Sequence, residues 1–334
     1  FFDHHFCHAA SAYYTSPFEE ALVLTMDGGG DGSCSHVYRA QGGSLERAHR
    51  TDSYHSLGNF YAYVTVLCGF RAKRHEGKVT GLAAHGSPVY LDLLREMIGC
   101  DGGALVNRSG LLFHQAVAAI REALPRDWDR ADLAASIQAH TEELTRGYVG
   151  HWLRKTGQRK LALAGGLFAN VRVNEELLGL PEVEELFVHP GMSDEGLAVG
   201  SALACWADRE RAQGRTSLPS SLEHAYLGTD YRDDAVQRAV ELSGLPFEPL
   251  GADPASRIAS ELAKGSVVAR FAGPMEYGPR ALGNRSILFR PDDPRANDWL
   301  NGMLKRTEFM PFAPSCLVEA TDQLFTNAGG GRNT

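Results

Sequence analysis

The sequence lacks several features that would place the protein in a specialised class. No apolar run reaches the roughly 18–20 residues that a membrane-spanning helix needs, and the longest ones, 161–164 and 267–272, have the length of buried strands. The six cysteines show no paired spacing, which indicates reduced thiols rather than a disulfide framework, and so a cytoplasmic protein. An excess of positive charge is also missing: the formal net charge is −8, so general binding to nucleic acid or to a membrane surface is not expected.

The chain is long enough and apolar enough for two domains. It has 334 residues, of which 43% are hydrophobic, and domains average roughly 150 residues. Residues 215–224 are polar and contain proline and serine, so we predict a linker there, between a first domain at 1–214 and a second at 225–334. Because the sequence opens at Phe1 in a motif-rich stretch without methionine, we expect it to be a piece of a longer protein.

Hydrophobic periodicity predicts an α/β fold. Apolar residues at helical spacing predict a long helix over 132–155. Short strands are predicted at 21–26, 161–164, 185–188 and 266–272, and further helices through 174–178 and at 196–211, 233–243 and 254–264. The first two strands each end at a glycine-rich turn, 27–32 and 165–166. Strands followed by glycine turns and helices are typical of α/β domains that bind ligands at the strand ends.

The opening segment contains a candidate metal site. His4 and His8 are four residues apart, which on a helix places both imidazoles on one face, and imidazole suits Zn, Fe, Ni or Cu. Asp194 follows a predicted strand and precedes a predicted helix, so it could present a carboxylate as a third ligand. Two histidines and one carboxylate would leave positions open for substrate. The alternative interpretation is that both histidines only cap the helix or pack against it.

The glycine-rich turns are candidate phosphate sites. In Asp27–Gly32 the glycines let backbone N–H groups approach an anion, and the acidic residue can hold a metal or a water molecule. Gly165 and Gly166 repeat this arrangement near Asn170. Two such turns suggest a nucleotide cleft between two lobes, as in the actin, sugar-kinase and Hsp70 ATPase superfamily; two tight turns without a ligand are the alternative. Lys78 could also reach an anion as a point charge, although a lone lysine is usually a surface residue.

A cationic cluster lies in the predicted second domain. Guanidinium groups concentrated in an irregular, glycine- and proline-rich loop of an acidic protein are typical of a phosphate or carboxylate site. A solvated basic face is the alternative. The loop and the Lys-Arg pair that follows it contain Arg280, Asn284, Arg285, Ser286, Arg290, Lys305 and Arg306.

Taken together, these segments resemble the NodU/CmcH family of O-carbamoyltransferases, which act in nodulation-factor and antibiotic biosynthesis. As a set the motifs are specific, they occur in the family's order and they cover nearly the whole chain. The matching segments are 3–12, 26–32, 76–83, 164–170, 189–196, 278–287 and 310–314.

The resemblance implies a two-domain enzyme. The first domain would have the ASKHA-type fold of tRNA threonylcarbamoyl-transferase, with its N-terminal lobe partly missing here, and the second would be YrdC-like. In the family, the YrdC-like domain joins carbamoyl phosphate to ATP, giving carbamoyl-adenylate and pyrophosphate, and the first domain passes the carbamoyl group to a hydroxyl near a bound iron. The resemblance thus implies a divalent metal, Fe²⁺, with ATP and carbamoyl phosphate as co-substrates and a hydroxylated small molecule as acceptor. The oligomeric state stays open, with a homodimer as one option.

By motif position, the resemblance also assigns residues. The implied catalytic residues and metal ligands are His4, His8, Asp27 and Asp194. The implied nucleotide- and phosphate-binding residues are Asp27, Gly28, Gly29, Lys78, Gly165, Gly166, Asn170, Arg280, Asn284, Arg285, Ser286 and Arg306. The base that takes the acceptor's proton stays open between Asp27 and a residue upstream of Phe1.

Two positions depart from the family pattern. Pro274 and Met310 stand where many members have arginine, so Arg270, Lys305 and Arg306 could share the binding of phosphates. Two alternatives to the O-carbamoyltransferase also stay open: a related carbamoyltransferase with another acceptor or product, and a metal- and nucleotide-binding relative without catalysis. The hydrogenase-maturation type would need cysteine pairs, which the sequence lacks, and the threonylcarbamoyl type would lack the arginine-rich second unit.

Overall fold

The computed structural model describes residues 1–292, 295–305, 312–325 and 331–332, and it divides into two compact units. The first unit runs from Phe1 to Leu222 and includes the described residues after 314. The second unit begins at Glu223 and includes residues 312–314. The second domain is predicted over 225–334, whereas the described residues from 315 onward group with the first unit.

The regular elements follow one another in mixed order along the chain. The described α-helices are α1 (His4–Tyr14), α2 (Leu57–Leu67), α3 (Glu76–Ala83), α4 (Leu91–Met97), α5 (Phe113–Ala123), α6 (Arg130–Thr156), α7 (Val171–Leu178), α8 (Leu197–Ala212), α9 (Asp233–Ser243), α10 (Pro254–Ala263), α11 (Ala296–Met303) and α12 (Thr321–Leu324). The described strands are β1 (Glu20–Gly30), β2 (Ser33–Gln41), β3 (Ser44–Asp52), β4 (Ile98–Asp101), β5 (Ala104–Asn107), β6 (Lys160–Ala164), β7 (Glu185–Val188), β8 (Val268–Phe271), β9 (Arg285–Leu288) and β10 (Gly331–Arg332).

A six-stranded mixed sheet organises the first unit, in the order β10-β7-β6-β1-β2-β3. Strands β1, β2 and β3 form an antiparallel meander, whereas β6 runs parallel to β1 and β7 runs parallel to β6. The carboxyl ends of β1, β6 and β7 therefore lie at one edge of the sheet, where ligands of open α/β sheets bind. This mixed architecture confirms that the fold class is α/β, as the sequence predicts.

Strand β1 lies at the centre of the sheet and is buried on both faces. Leu22, Leu24 and Met26 belong to a core with α2 and α6, whereas Ala21 and Val23 belong to a core with α1 and α8. Because side chains alternate across a strand, one short segment contributes to both layers. A strand covered on both faces reads as a nearly continuous apolar run, which is why the sequence predicted it as buried.

Most predicted elements are found within a few residues of their expected bounds. The long helix α6 begins after Asp129, whose carboxylate accepts from two backbone N–H groups, and ends at Gly157 in the left-handed region, with φ +72°. One difference concerns β1, which was expected to end before the glycines. It continues through them, because Gly30 still pairs with Ser33 of β2 after an irregularity, and the turn itself contains Asp31 and Gly32.

The second unit is smaller. Strands β8 and β9 pair antiparallel, with Ala269 opposite Ile287. Helices α9 and α10 and strand β8 were all predicted and lie at the expected positions. Across both units, none of the described helices combines the length and the apolar character required to cross a bilayer.

Candidate metal centre

Helix α1 presents two imidazoles on one side. Asp3 caps the helix with its side chain, and Asp31 accepts a hydrogen bond from the backbone N–H of His4 at 2.8 Å, so the first turn is fixed. The spacing of four residues then brings the rings of His4 and His8 to a centroid distance of 4.8 Å. Gly30 makes room for the first ring, because a Cβ at that position would overlap the His4 imidazole.

Two carboxylates from distant parts of the chain meet these imidazoles. Asp27 is the last residue of the buried run of β1, and Asp194 opens a short 3₁₀ turn that follows β7. Asp27 Oδ2 lies 2.7 Å from His4 Nε2 and 3.3 Å from His8 Nε2. Asp194 Oδ1 lies 3.8 Å from His4 Nε2 and 3.6 Å from His8 Nε2. One potential ligand atom from each residue lies within 4.8 Å of the others, and we call this group the four-residue cluster.

The cluster contains buried polar atoms that need a partner. His8 is fully buried, and within the described chain neither of its ring nitrogens makes a hydrogen bond of acceptable geometry. Asp27 Oδ1 is also buried and likewise has no hydrogen-bond partner among the described residues. Leaving such groups unsatisfied typically costs on the order of 1–3 kcal/mol each. A divalent cation would satisfy them, and imidazole nitrogens with carboxylate oxygens are ligands that Zn²⁺ and Fe²⁺ accept, so the residues fit a metal ion.

The charges of the cluster stabilise one another. Burial by itself would lower the pKa of His8, but Asp194 and Asp27 outweigh it and raise that pKa above its ordinary value. Burial would raise the pKa of Asp27, but its interactions with His4 and His8 hold it well below the usual range. The pKa of Asp194 is lowered as well, mainly by its interaction with His8. Both carboxylates are therefore ionised at neutral pH, which is the state that binds a metal.

A third histidine, His5, lies beside this site and is not among the residues predicted from the sequence. His5 is fully buried, with Nδ1 2.9 Å from Thr25 Oγ1 and Nε2 3.0 Å from the backbone oxygen of Ser33. Its Nε2 also lies 3.6 Å from Asp27 Oδ1. Burial lowers the pKa of His5, so its ring is neutral at pH 7 and supports Asp27 without adding a charge. The only signal in the sequence was the density of histidines in the opening segment, which does not say where each ring points.

The two predicted glycine turns lie at adjacent strand ends because β1 and β6 are neighbours. Gly165 has φ +105°, and a Cβ there would overlap the backbone of β1; Gly166 opens the 3₁₀ turn that follows. Gly29 has φ +137°, and Gly28 lies against the side chain of Asn59. These glycines permit close backbone packing beside the four-residue cluster, and their contact with a phosphate remains a prediction.

Two other predicted nucleotide residues have partners within the protein. Asn170 caps α7 and exchanges hydrogen bonds with the amide of Gln138 at 2.8 and 3.2 Å. Lys78 lies on α3 with its ammonium nitrogen 5.7 Å from the centroid of the Phe70 ring. Neither residue belongs to the four-residue cluster.

In the second unit, the loop predicted to bind an anion surrounds one of the protein's own carboxylates. Glu276 is 8% exposed, and its Oε1 accepts hydrogen bonds from the backbone N–H groups of Leu282, Asn284 and Arg285 at 2.8, 2.8 and 3.1 Å. Burial would raise the pKa of Glu276, but these backbone hydrogen bonds outweigh it and lower the pKa to about 2. Glu276 is not among the residues predicted from the sequence, since nothing local indicates that a carboxylate folds back onto the loop that follows it.

Arg285 serves the structure of this loop. Its guanidinium lies 3.8 Å from the centroid of the Phe271 ring and donates to the backbone oxygen of Ala272 at 3.0 Å. Stacking on an aromatic face combined with a backbone hydrogen bond fixes a guanidinium in place.

Among the remaining residues predicted to bind phosphate, some already make hydrogen bonds within the protein and one does not. Asn284 Oδ1 accepts from Arg270 at 2.8 Å, and Ser286 Oγ accepts from the backbone N–H of Gly283 at 2.8 Å. Arg280 is exposed and makes no hydrogen bond or ion pair with the part of the chain that is described. The predicted residue Arg306 lies outside the described residues.

The fold and the four-residue cluster thus define an α/β protein with a candidate site for a divalent metal. The family model described as "Carbamoyltransferase N-terminus" matches residues 1–203, and the model "Carbamoyltransferase C-terminus" matches residues 259–331. The chain belongs to the carbamoyltransferase family, which confirms the predicted family.

Similar curated proteins include three nodulation proteins. Nodulation protein NolNO of Sinorhizobium fredii is 33% identical over 97% of this chain and 48% of its own length. Nodulation protein NolO of Bradyrhizobium diazoefficiens is 33% identical over 99% of this chain and 61% of its own length. Nodulation protein U of Azorhizobium caulinodans is 28% identical over 97% of this chain and 60% of its own length. The chain therefore spans about half to three fifths of these relatives.

Solved structures give more remote likenesses. Full-length HypF in its phosphate- and nucleotide-bound form is 14% identical, with a TM-score of 0.37 over 61% of this chain and 35% of that chain. Component A of the Acidaminococcus fermentans (R)-2-hydroxyglutaryl-CoA dehydratase is 16% identical, with a TM-score of 0.39 over 60% of this chain and 66% of that chain.

Proposed function

We propose that this chain is part of an ATP-dependent O-carbamoyltransferase, which moves a carbamoyl group to a hydroxyl of a small molecule. The observation that carries the proposal is the convergence of two imidazoles and two carboxylates beside the glycine turns that follow β1 and β6. Membership of the carbamoyltransferase family supports the proposal that the transferred group is carbamoyl. ATP as co-substrate, the hydroxylated acceptor and a cytoplasmic location belong to the proposal.

His4, His8, Asp27 and Asp194 would hold the metal, for which we propose Fe²⁺. A divalent ion bound there would polarise the carbamoyl carbonyl and favour negative charge on its oxygen. The protein's own contribution is to keep the two carboxylates ionised and the four side chains in place. His5 contributes to this, because its neutral ring packs beside Asp27 and is itself fixed by two hydrogen bonds.

The first unit would have the ASKHA-type fold and would hold carbamoyl-adenylate beside the metal. Two features support this location. Gly29 is exposed and Gly166 is half-buried, so a phosphate could reach the backbone of each turn. They also lie at the carboxyl ends of neighbouring strands, the position at which ligands of open α/β sheets bind.

The second unit would be the YrdC-like domain that forms carbamoyl-adenylate from carbamoyl phosphate, water and ATP, with release of inorganic phosphate and pyrophosphate. Two arginines of this unit have different surroundings, which supports different roles for them. Arg280 is exposed and has no partner in the described chain, so we assign it to direct contact with a phosphate. Arg285 is held by Phe271 and Ala272, so we assign it to the shape of the loop.

The test uses the full-length protein with ATP and carbamoyl phosphate. We expect pyrophosphate release, and transfer of a carbamoyl group to hydroxylated acceptors that mass spectrometry detects. Asp194→Asn should lower metal content and transfer at least tenfold while pyrophosphate release persists, because Asp194 belongs to the first unit only. Asp208→Asn is the matched control, since Asp208 is also an exposed carboxylate and pairs with Arg211 on the surface of α8.

Other outcomes would identify the alternatives. Tight ATP binding without pyrophosphate release would favour a non-catalytic relative that only binds metal and nucleotide. Pyrophosphate release followed by transfer to a protein or nucleic-acid acceptor would favour a related carbamoyltransferase with another product. Gel filtration of the same preparation would decide whether the protein is a homodimer.

A further inference from the structure

We infer that the acceptor binds in a cavity between α2 and α5 and that it is a hydroxylated compound with an apolar body and without several positive charges. This inference rests on the proposed function and adds the substrate class to it. The cavity has a volume of about 550 Å³, which lies within the range of sites for small organic ligands. Its walls include Asn59, Ala62, Tyr63, Val66, Phe113 and Val117.

The floor of the cavity is one face of α2. Asn59, Ala62, Tyr63 and Val66 follow the i, i+3, i+4, i+7 pattern, so they form a single stripe along the helix. At a rise of 1.5 Å per residue, this stripe is roughly 10 Å long. Asn59 lies at the first turn of α2 and Val66 at the last, so the cavity has two distinct ends.

The Asn59 end adjoins the four-residue cluster. A Cβ added to Gly28 would lie 3.2 Å from Asn59 Oδ1, so the asparagine side chain touches the backbone next to Asp27. Ser56 strengthens this connection, because its hydroxyl donates to the backbone oxygen of Asp27 at 3.1 Å and accepts from the backbone N–H of Asn59 at 3.1 Å. A ligand in this end of the cavity therefore lies beside the proposed transfer site.

The chemistry of the walls specifies how an acceptor would lie. The stripe beyond Asn59 is apolar apart from the hydroxyl of Tyr63, and the facing residues Phe113 and Val117 are apolar as well. Asn59 is half-buried, and its side-chain amide makes no hydrogen bond with the described residues. Ligand sites commonly combine apolar walls with a few polar groups that fix orientation. The reactive hydroxyl would thus bind Asn59, and the apolar body would extend toward Val66.

Charges at the rim limit the ligand further. Lys73 and Arg121 line the cavity together with a single carboxylate, Glu122, so a polycationic ligand would meet net repulsion. Phe113 lines the cavity, is 63% exposed and has φ +49°, an unfavourable backbone conformation for an aromatic residue. Strained residues of this kind concentrate at ligand sites.

The experiment compares two tryptophan variants of the full-length protein. Val66→Trp fills the far end of the cavity, and its position is 43% exposed, so the larger ring can be accommodated without rebuilding the core. Val89→Trp is the control, because Val89 is 62% exposed and does not line the cavity. The probes are 2-naphthaleneethanol, an aryl alcohol whose fluorescence reports binding, and kanamycin, a polycationic polyol.

We expect the wild type to carbamoylate 2-naphthaleneethanol in preference to kanamycin. Val66→Trp should lower kcat/KM for the aryl alcohol at least tenfold and leave pyrophosphate release from ATP and carbamoyl phosphate unchanged. Val89→Trp should change neither value more than twofold. Equal transfer by Val66→Trp and the wild type, or preference for kanamycin, would overturn the inference.

Failure of the proposed function has a different signature, namely no pyrophosphate release and no transfer by the wild type. In that case, binding measurements alone test whether the aryl alcohol occupies the cavity. If the Kd for 2-naphthaleneethanol, measured by fluorescence titration, is tenfold higher with Val66→Trp than with Val89→Trp, the proposed acceptor cavity is supported. Equal binding by the two variants, or no binding by the wild type up to the solubility limit of the alcohol, would reject it.

Discussion

Replacing Gly200 by alanine should destabilise the first unit and weaken metal binding at its candidate site together. Gly200 lies on α8 where that helix crosses α1, and a Cβ at this position would stand 1.9 Å from the backbone oxygen of Cys7. Ordinary van der Waals contact begins at 3.4 Å, so the two helices would have to separate by about 1.5 Å (3.4 minus 1.9). The obstacle is backbone, which cannot rotate away as a side chain could.

The magnitude follows from two opposing terms. Alanine gains about 1 kcal/mol over glycine in a helix interior, whereas overpacking a close contact typically costs about 1–3 kcal/mol and sometimes more. Because the whole backbone of α1 must move, we expect the upper part of that range and a net loss of about 1–2 kcal/mol. His4 and His8 move with α1, so metal affinity should fall by about tenfold, as it does when the residues that support metal ligands are disturbed.

The control is Gly147→Ala on α6. Gly147 also lies in a helix interior, but a Cβ there would meet nothing within 4 Å. This variant should therefore be more stable than the wild type by about 0.5–1 kcal/mol. Urea unfolding followed by circular dichroism, and metal titration of each variant, measure both effects. The packing argument is refuted if Gly200→Ala is as stable as Gly147→Ala or binds metal as tightly as the wild type.

Three further predictions concern the metal and the second unit. A saturating divalent metal, at about 100 times its Kd, should stabilise the wild type by about 2.7 kcal/mol, and His8→Gln should remove most of that gain in thermal melts. The pKa of Glu276 is about 2 in the folded protein against an ordinary 4.5, so its stabilising contribution is present above about pH 4.5 and is lost as the pH falls toward 2. Glu276→Gln should accordingly lower the free energy of unfolding by about 1–3 kcal/mol at pH 7. The variant should also lose less stability than the wild type as the pH falls from about 4.5 toward 2; an equal loss in both proteins would contradict this. Arg285→Lys should destabilise the second unit by about 1–3 kcal/mol, whereas Arg238→Lys, at an exposed pair with Asp234, should stay within about 0.5 kcal/mol by urea titration.

Features that depend on local order were accessible from the sequence. The long helix α6 could be predicted because its apolar residues repeat at helical spacing between Asp129 and Gly157, a cap at each end. The strands β1 and β6 could be predicted because each is a short apolar run that reaches a glycine turn. The pairing of His4 with His8 also followed from local geometry, since four residues make about one helical turn.

Other features depend on which distant segments become neighbours, and only the tertiary structure decided them. Asp27 and Asp194 are far apart along the chain and meet the same imidazoles because β1 and β7 end at one edge of the sheet. Glu276, which accepts hydrogen bonds from the loop that follows it, and Gly200, which lets α1 approach α8, carry no local signal, since their roles lie in contacts with backbone elsewhere. Spacing along a chain fixes which side chains can share a face, whereas the packing of whole elements fixes what that face meets.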